Sequence, residues 1–158
     1  MNKEKFTLIG AGLTGPLLAT YLAQRGYFVE IFERRPDMRK ESISAGRSIN
    51  LALSERGNHA LKEVGLYDKI KPNIIPMRGR MIHDLNGNTH LQPYGQKENE
   101  VIFSVSRAQL NMELMTLAEK TGNVTIRFNH QLLSADLDQN KLLFKLSDSL
   151  EEIELSFN

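Results

Sequence analysis

The chain has 158 residues, 41% hydrophobic and 25% charged, the make-up of an ordinary folded domain with enough apolar side chain for one core. Lysine and arginine number 20 against 19 for aspartate and glutamate, so a formal charge of +1 gives no field favouring nucleic acid or an anionic membrane. The absence of cysteine excludes a disulfide framework, a thiolate metal site and a cysteine nucleophile. Residues 6–9 are too short an apolar run for a signal peptide, and nowhere do about 18 apolar residues run together, so the chain reads as cytoplasmic with no membrane segment.

Residues 6–9 predict a strand ending at Gly10, after which Leu13, Leu17, Leu18, Tyr21 and Leu22 take helical spacing. Arg25 and Gly26 suit the end of that helix, and residues 28–32 give a second strand, which makes a parallel βαβ unit. Residues 34–50 carry charge and little periodicity and read as a surface loop. A strand over 49–53 precedes a helix over 55–64, with Ser54 as its cap and Gly65 as its stop. Pro72 and Pro76 punctuate the next connection. Runs 77–84 and 89–92 flank Asn86-Gly87, which predicts a hairpin with a two-residue turn. A strand over 101–105 leads to a helix opened by a Ser106/Gln109 capping box, with Leu110, Leu114, Leu117 and Ala118 as its inner stripe and Met112 and Met115 as core or core-edge filler. Gly122 ends it. A strand over 124–128, a hairpin of 132–137 with 142–146, and a strand over 153–157 complete the chain. The predicted class is α/β: a Rossmann-like unit with inserted antiparallel β-hairpins, in one domain over 1–158.

Gly10-Ala11-Gly12-Leu13-Thr14-Gly15 matches G-x-G-x-x-G in the context that gives the pattern meaning, between a strand and a helix. Gly10 permits the tight turn, Gly12 leaves room for a diphosphate against bare backbone, and Gly15 lets the helix approach the strand. The helix N-terminus then faces the phosphates, and Pro16 in its first turn sacrifices no hydrogen bond. Glu33, at the end of the second strand, stands where a carboxylate accepts both ribose hydroxyls and repels a 2′-phosphate, which favours FAD or NAD over NADP as the resident nucleotide. These residues alone do not separate FAD from NAD, and Arg34 and Arg35 read equally as a solvated basic corner. His83, His90 and His130 lack ligand spacing, so no metal site is expected.

Three further stretches carry a resemblance: Gly46-Arg47-Ser48-Ile49-Asn50-Leu51-Ala52-Leu53-Ser54, Pro76-Met77-Arg78-Gly79-Arg80-Met81-Ile82-His83, and Pro93-Tyr94-Gly95 with Ser104-Val105-Ser106-Arg107. Together, over residues 6–133, they resemble the kynurenine 3-monooxygenase family of FAD-dependent aromatic hydroxylases. The resemblance implies a glutathione-reductase-like flavoprotein fold, incomplete in this chain, with residues 77–105 starting a substrate-binding sheet. It implies FAD as cofactor, NADPH as co-substrate and hydroxylation of L-kynurenine to 3-hydroxykynurenine with O2. By the same resemblance, Gly10, Gly12, Thr14, Gly15, Glu33, Arg34 and Arg35 hold the ADP half of FAD, Ala52, Arg107 and Leu132 line the flavin site, and Arg80 and Tyr94 clamp the substrate carboxylate. No side chain is assigned as a nucleophile or other catalytic group. From the residues alone, Arg80 reads as a solvent-facing strand residue, Tyr94 as a turn aromatic and Arg107 as a first-turn helix residue. The family's later glycine-and-aspartate motifs do not occur, so this chain by itself is expected to turn over poorly or not at all. The alternatives are a stand-alone FAD-binding module and an NAD-dependent dehydrogenase.

Overall fold

A computed structural model describes residues 4–40, 50–97 and 99–157. In chain order the elements are β1 (Lys5–Ile9), α1 (Thr14–Gln24), β2 (Phe28–Phe32), β3 (Asn50–Leu53), α2 (Glu55–Glu63), α3 (Tyr67–Ile70), β4 (Ile75–Met77), β5 (Gly79–His83), β6 (Thr89–Pro93), β7 (Ile102–Ser106), α4 (Arg107–Lys120), β8 (Val124–Arg127), β9 (His130–Asp136), β10 (Lys141–Leu146) and β11 (Glu152–Ser156). A 3-10 turn at Lys71–Asn73 follows α3. The predicted positions 41–49, including Gly46, Arg47, Ser48 and Ile49 of the first resemblance stretch, lie outside the described residues. The chain divides into two compact units, Met1–Gly46 with Asn111–Asn158, and Arg47–Leu110.

In the first unit β1, β2 and β8 form a parallel sheet with β2 in the middle. Its register sets Phe6 beside Val29 and Leu8 beside Ile31, and then Val29 beside Val124 and Ile31 beside Ile126, so one face is a block of β-branched and apolar residues. Ala19 and Ala23 of α1 and Met115 and Ala118 of α4 share one core with that face, and the small side chains of α1 let it lie close to the sheet. Beyond the sheet, Phe32 joins Phe144 and Leu142 in a second core under the antiparallel sheet β11-β10-β9, with Phe32 and Phe144 stacked 4.5 Å apart. On β2, Glu30 accepts from Lys5 at 2.7 Å and from Arg127, so the charge of the middle strand is answered from both neighbours.

In the second unit β7 runs between β3 and β4, antiparallel to both, and β5 and β6 make a separate ribbon. Among the described residues, Leu53, Leu61, Val64, Leu66, Ile70, Ile74, Val105 and Leu110 are its buried apolar residues.

Several local expectations change. The β5–β6 turn spans residues 84–88, longer than the predicted two-residue turn, and only Gly87 takes a positive φ, of 84°. The Asp84 carboxylate explains the difference, because it accepts from the N–H groups of Asn86 and Asn88 and from the Asn88 side chain and so organises a wider loop. The buried stripe of α4 passes through Leu110, Asn111, Leu114, Met115 and Ala118, and Leu117 lies only half-buried beside it. Ser54 occupies the N-cap position of α2 without a side-chain cap bond; the Asn58 side chain donates instead to Glu55. One arm of the Ser106/Gln109 box forms, with the Gln109 N–H donating to Ser106 Oγ at 3.3 Å. The helix α3, four residues long, is too short to carry a periodicity in the sequence.

Candidate functional site

The loop between β1 and α1 is bound to the fold on two sides. Gly10, at φ 97°, donates its N–H to the Phe32 carbonyl at 2.7 Å, which ties the start of the loop to the end of β2. Ala11, only 1% exposed, donates its N–H to Glu33 Oε2 at 2.7 Å and accepts at its carbonyl from Asn111 Nδ2 at 3.0 Å. Gly15 differs from Gly10 and Gly12 in what a side chain would meet. A Cβ on Gly15 would stand 2.1 Å from the Gly10 carbonyl oxygen, whereas one on Gly12 would find no atom within 4 Å. Close helix approach at Gly15 and open space at Gly12 are the two conditions a diphosphate over this loop requires. The N-cap residue of α1 is Leu13, no side chain caps the helix, and its first turn holds no acidic residue, so the N–H groups there are available to an anion. Thr14 begins that turn and is exposed.

Glu33 follows β2 directly and is buried, at 5% exposure. Its Oε1 accepts from the Arg35 N–H at 3.0 Å and from Arg35 Nε at 2.8 Å, while Oε2 takes the Ala11 N–H. Burial raises the carboxyl pKa, but the bonds from the Arg35 side chain, the Arg35 N–H and the Ala11 N–H outweigh it and hold the group below its ordinary 4.5. Glu33 is therefore a fixed anion, and the free lone pair on Oε2 is what it can offer to a hydroxyl donor. Arg34 is exposed, and its carbonyl accepts from Ser147 Oγ at 3.2 Å. Beyond Arg35 the chain turns at Asp37, which receives Arg39 through two side-chain bonds of 2.8 Å; Arg39 also reaches Glu119 of α4 at 2.5 Å. Those bonds from Arg39 hold the buried Asp37 carboxyl below its usual range. A cavity of about 60 Å3 opens beside Glu33, lined among others by Ala11, Met38, Asn111, Met115 and Phe128.

The predicted positions Gly10, Gly12, Thr14, Gly15, Glu33 and Arg35 thus meet at one place. Leu132 is half-buried against the Phe32 and Phe144 core, opposite Phe144 in the β9–β10 register. In the other unit, Ala52 is exposed on β3 opposite Ser104, and Arg107 is exposed at the start of α4. Arg80 lies on β5 opposite Gln92 and donates its Nε to Gln92 Oε1 at 2.6 Å. The Tyr94 N–H donates to the Arg78 carbonyl at 2.9 Å, so the ladder continues past β6 and strand alternation sets Tyr94 on the same side of the ribbon as Gln92 and Arg80. Sequence reasoning missed Asn111 and the Asp37–Arg39–Glu119 group. The readable signal for Asn111 was an amide standing among Leu110, Leu114 and Met115, where helical spacing calls for an apolar residue.

Residues 5–156 match the family profile described as FAD binding domain. The chain is 51% identical over 141 residues to the kynurenine 3-monooxygenase of Myxococcus xanthus, an alignment covering 89% of this chain and 30% of that protein. It is 48% identical to the Anopheles gambiae kynurenine 3-monooxygenase, over 85% of this chain and 28% of that one. The chain therefore spans a little under a third of the length of these relatives. Among solved structures, the flavin-dependent monooxygenase PieE, in complex with FAD and substrate, superposes with a TM-score of 0.80 at 14% identity, covering 98% of this chain and 29% of that one. The p-nitrophenol 4-monooxygenase PnpA of Pseudomonas putida superposes with a TM-score of 0.76 at 18% identity, over 96% and 39%. These likenesses establish the fold.

Proposed function

The chain belongs to the FAD binding domain family, and from that premise we propose that it is the ADP-holding portion of a cytoplasmic FAD- and NADPH-dependent monooxygenase that converts L-kynurenine to 3-hydroxykynurenine. The observation that carries the nucleotide part is the contrast between Gly15, closed against Gly10, and Gly12, where a side chain would meet no atom, beside a buried and ionised Glu33. The substrate part is supported by the two relatives named kynurenine 3-monooxygenase.

Bound FAD, reduced by NADPH, supplies the oxygen-activating chemistry. The protein's own contribution is binding and orientation. The first-turn amides of α1 and the Gly12 backbone take the diphosphate, and Glu33 takes the ribose. Arg34 and Arg35 carry the adenosine edge, and Ala52, Arg107 and Leu132 are assigned to the flavin by family resemblance alone. With Arg80 Nε committed to Gln92, its two terminal nitrogens remain as the planar fork for the kynurenine carboxylate, and the Tyr94 hydroxyl adds a third donor.

A flavin-fluorescence titration of the purified chain tests the cofactor: saturable quenching by FAD is expected, and retention of NAD with no affinity for flavin overturns the reading in favour of a dehydrogenase. For the substrate, L-kynurenine is expected to move the amide resonances of Arg80 and Tyr94, and an unchanged spectrum overturns the clamp. Kynurenine-stimulated NADPH oxidation by this chain alone is expected to be slow or nil; rates typical of a complete hydroxylase overturn that expectation. Among the described residues no helix is long and apolar enough to cross a membrane.

A further inference from the structure

Asn111 occupies a position that packing alone would give to leucine. It stands on the buried stripe of α4, is 7% exposed, and its Oδ1 has no hydrogen-bond partner among the described residues. An unsatisfied buried acceptor is costly, so an amide retained here is retained for what its other end does. That end donates to the Ala11 carbonyl, 100 residues away in sequence. The carboxamide has one workable orientation, since turning it over would set its oxygen against the Ala11 oxygen.

We propose that Asn111 is a positioning residue for the cofactor diphosphate: by drawing the Ala11 carbonyl inward it turns the Gly12 N–H outward. The step follows from the planar trans peptide, in which C=O and N–H point in opposite directions. Going along the loop, the Gly10 N–H is taken by Phe32 and the Ala11 N–H by Glu33, so Gly12 carries the first amide that the described residues do not consume. A Cβ on the same residue would find no neighbour within 4 Å. Glu33 and Asn111 grip Ala11 from its two ends, and the peptide between Ala11 and Gly12 cannot rotate without breaking the Asn111 bond. The inference rests on the FAD reading of this loop and adds to it a residue that touches no nucleotide.

The test uses the 15N-labelled full chain titrated with ADP, together with FAD affinity from flavin-fluorescence quenching. In the unaltered protein ADP is expected to shift the Gly12 amide resonance strongly and the Ala11 amide little, because Glu33 already holds the latter. Asn111→Asp keeps the shape and replaces the donor with an acceptor; Asn111→Leu keeps the volume and removes both polar groups. Each is expected to weaken ADP and FAD by about tenfold or more and to abolish the Gly12 shift at saturation, with the nucleotide-free melting temperature of the leucine variant near that of the parent. Unchanged affinity, or weakened affinity with a full Gly12 shift, overturns the positioning role and leaves the FAD reading standing. Equal movement of Ala11 and Gly12 in the unaltered chain overturns it even where neither variant folds. Absence of any ADP or FAD binding by the unaltered chain overturns the FAD reading of the loop and this inference with it.

Discussion

One added methyl group separates the tasks of neighbouring glycines. Gly15→Ala would drive a Cβ to within 2.1 Å of backbone, where no side-chain movement can relieve it, so a loss of about 3 kcal/mol is expected in urea unfolding. Gly12→Ala meets nothing, and its unfolding free energy should stay within about 0.5 kcal/mol of the parent while FAD affinity falls by about tenfold or more. Glu33 links the same site to pH. Its carboxyl is depressed in the folded chain, so the stability it contributes is complete above its ordinary 4.5 and is lost as pH falls through the lower folded value. Glu33→Gln should therefore flatten the acid limb of a stability-against-pH curve below about 4.5 and leave its neutral portion parallel to the parent. The placing of Gly10, Gly12, Gly15 and Glu33 at one spot was legible because it depends on spacing along one strand-loop-helix. Asn111 was not: its partner lies far away in sequence, and no local pattern says which carbonyl a buried amide will find.

Elements were readable where a single residue terminates them. Gly26, Gly65 and Gly122 each take a positive φ at a helix end, as their places after helical runs predict. Where a side chain reorganises a turn, the local pattern misleads: Asn86-Gly87 alone predicts the shortest hairpin, and Asp84, two residues earlier, imposes the longer one by accepting three bonds. The stripe of α4 shows the other limit, since Leu117 and Met115 are equally apolar and only tertiary packing selects Met115 for the core. In the sheet β11-β10-β9, Phe144 is fully buried against Phe32 on β2 and couples that sheet to the parallel one. Phe144→Ala should cost about 3–5 kcal/mol in thermal or urea unfolding, and a loss below about 1 kcal/mol would mean that the two sheets are held by something else.

At the scale of the whole molecule, near-neutral charge and the lack of cysteine excluded much and identified little. The family came from motifs, and the division into two units had no counterpart in composition. The β5–β6 ribbon is the feature with the most practical weight for anyone handling the protein. It has only two strands, and Met81, Ile82, Leu91 and Tyr94 on it are each more than two-fifths exposed. Strand edges that carry unused amides and carbonyls beside greasy side chains are adhesive, and on this ribbon Arg80 and Pro93 guard one end only. Concentrated samples should cloud, with scattering that rises steeply on warming, and Leu91→Lys should keep them clear without changing nucleotide affinity.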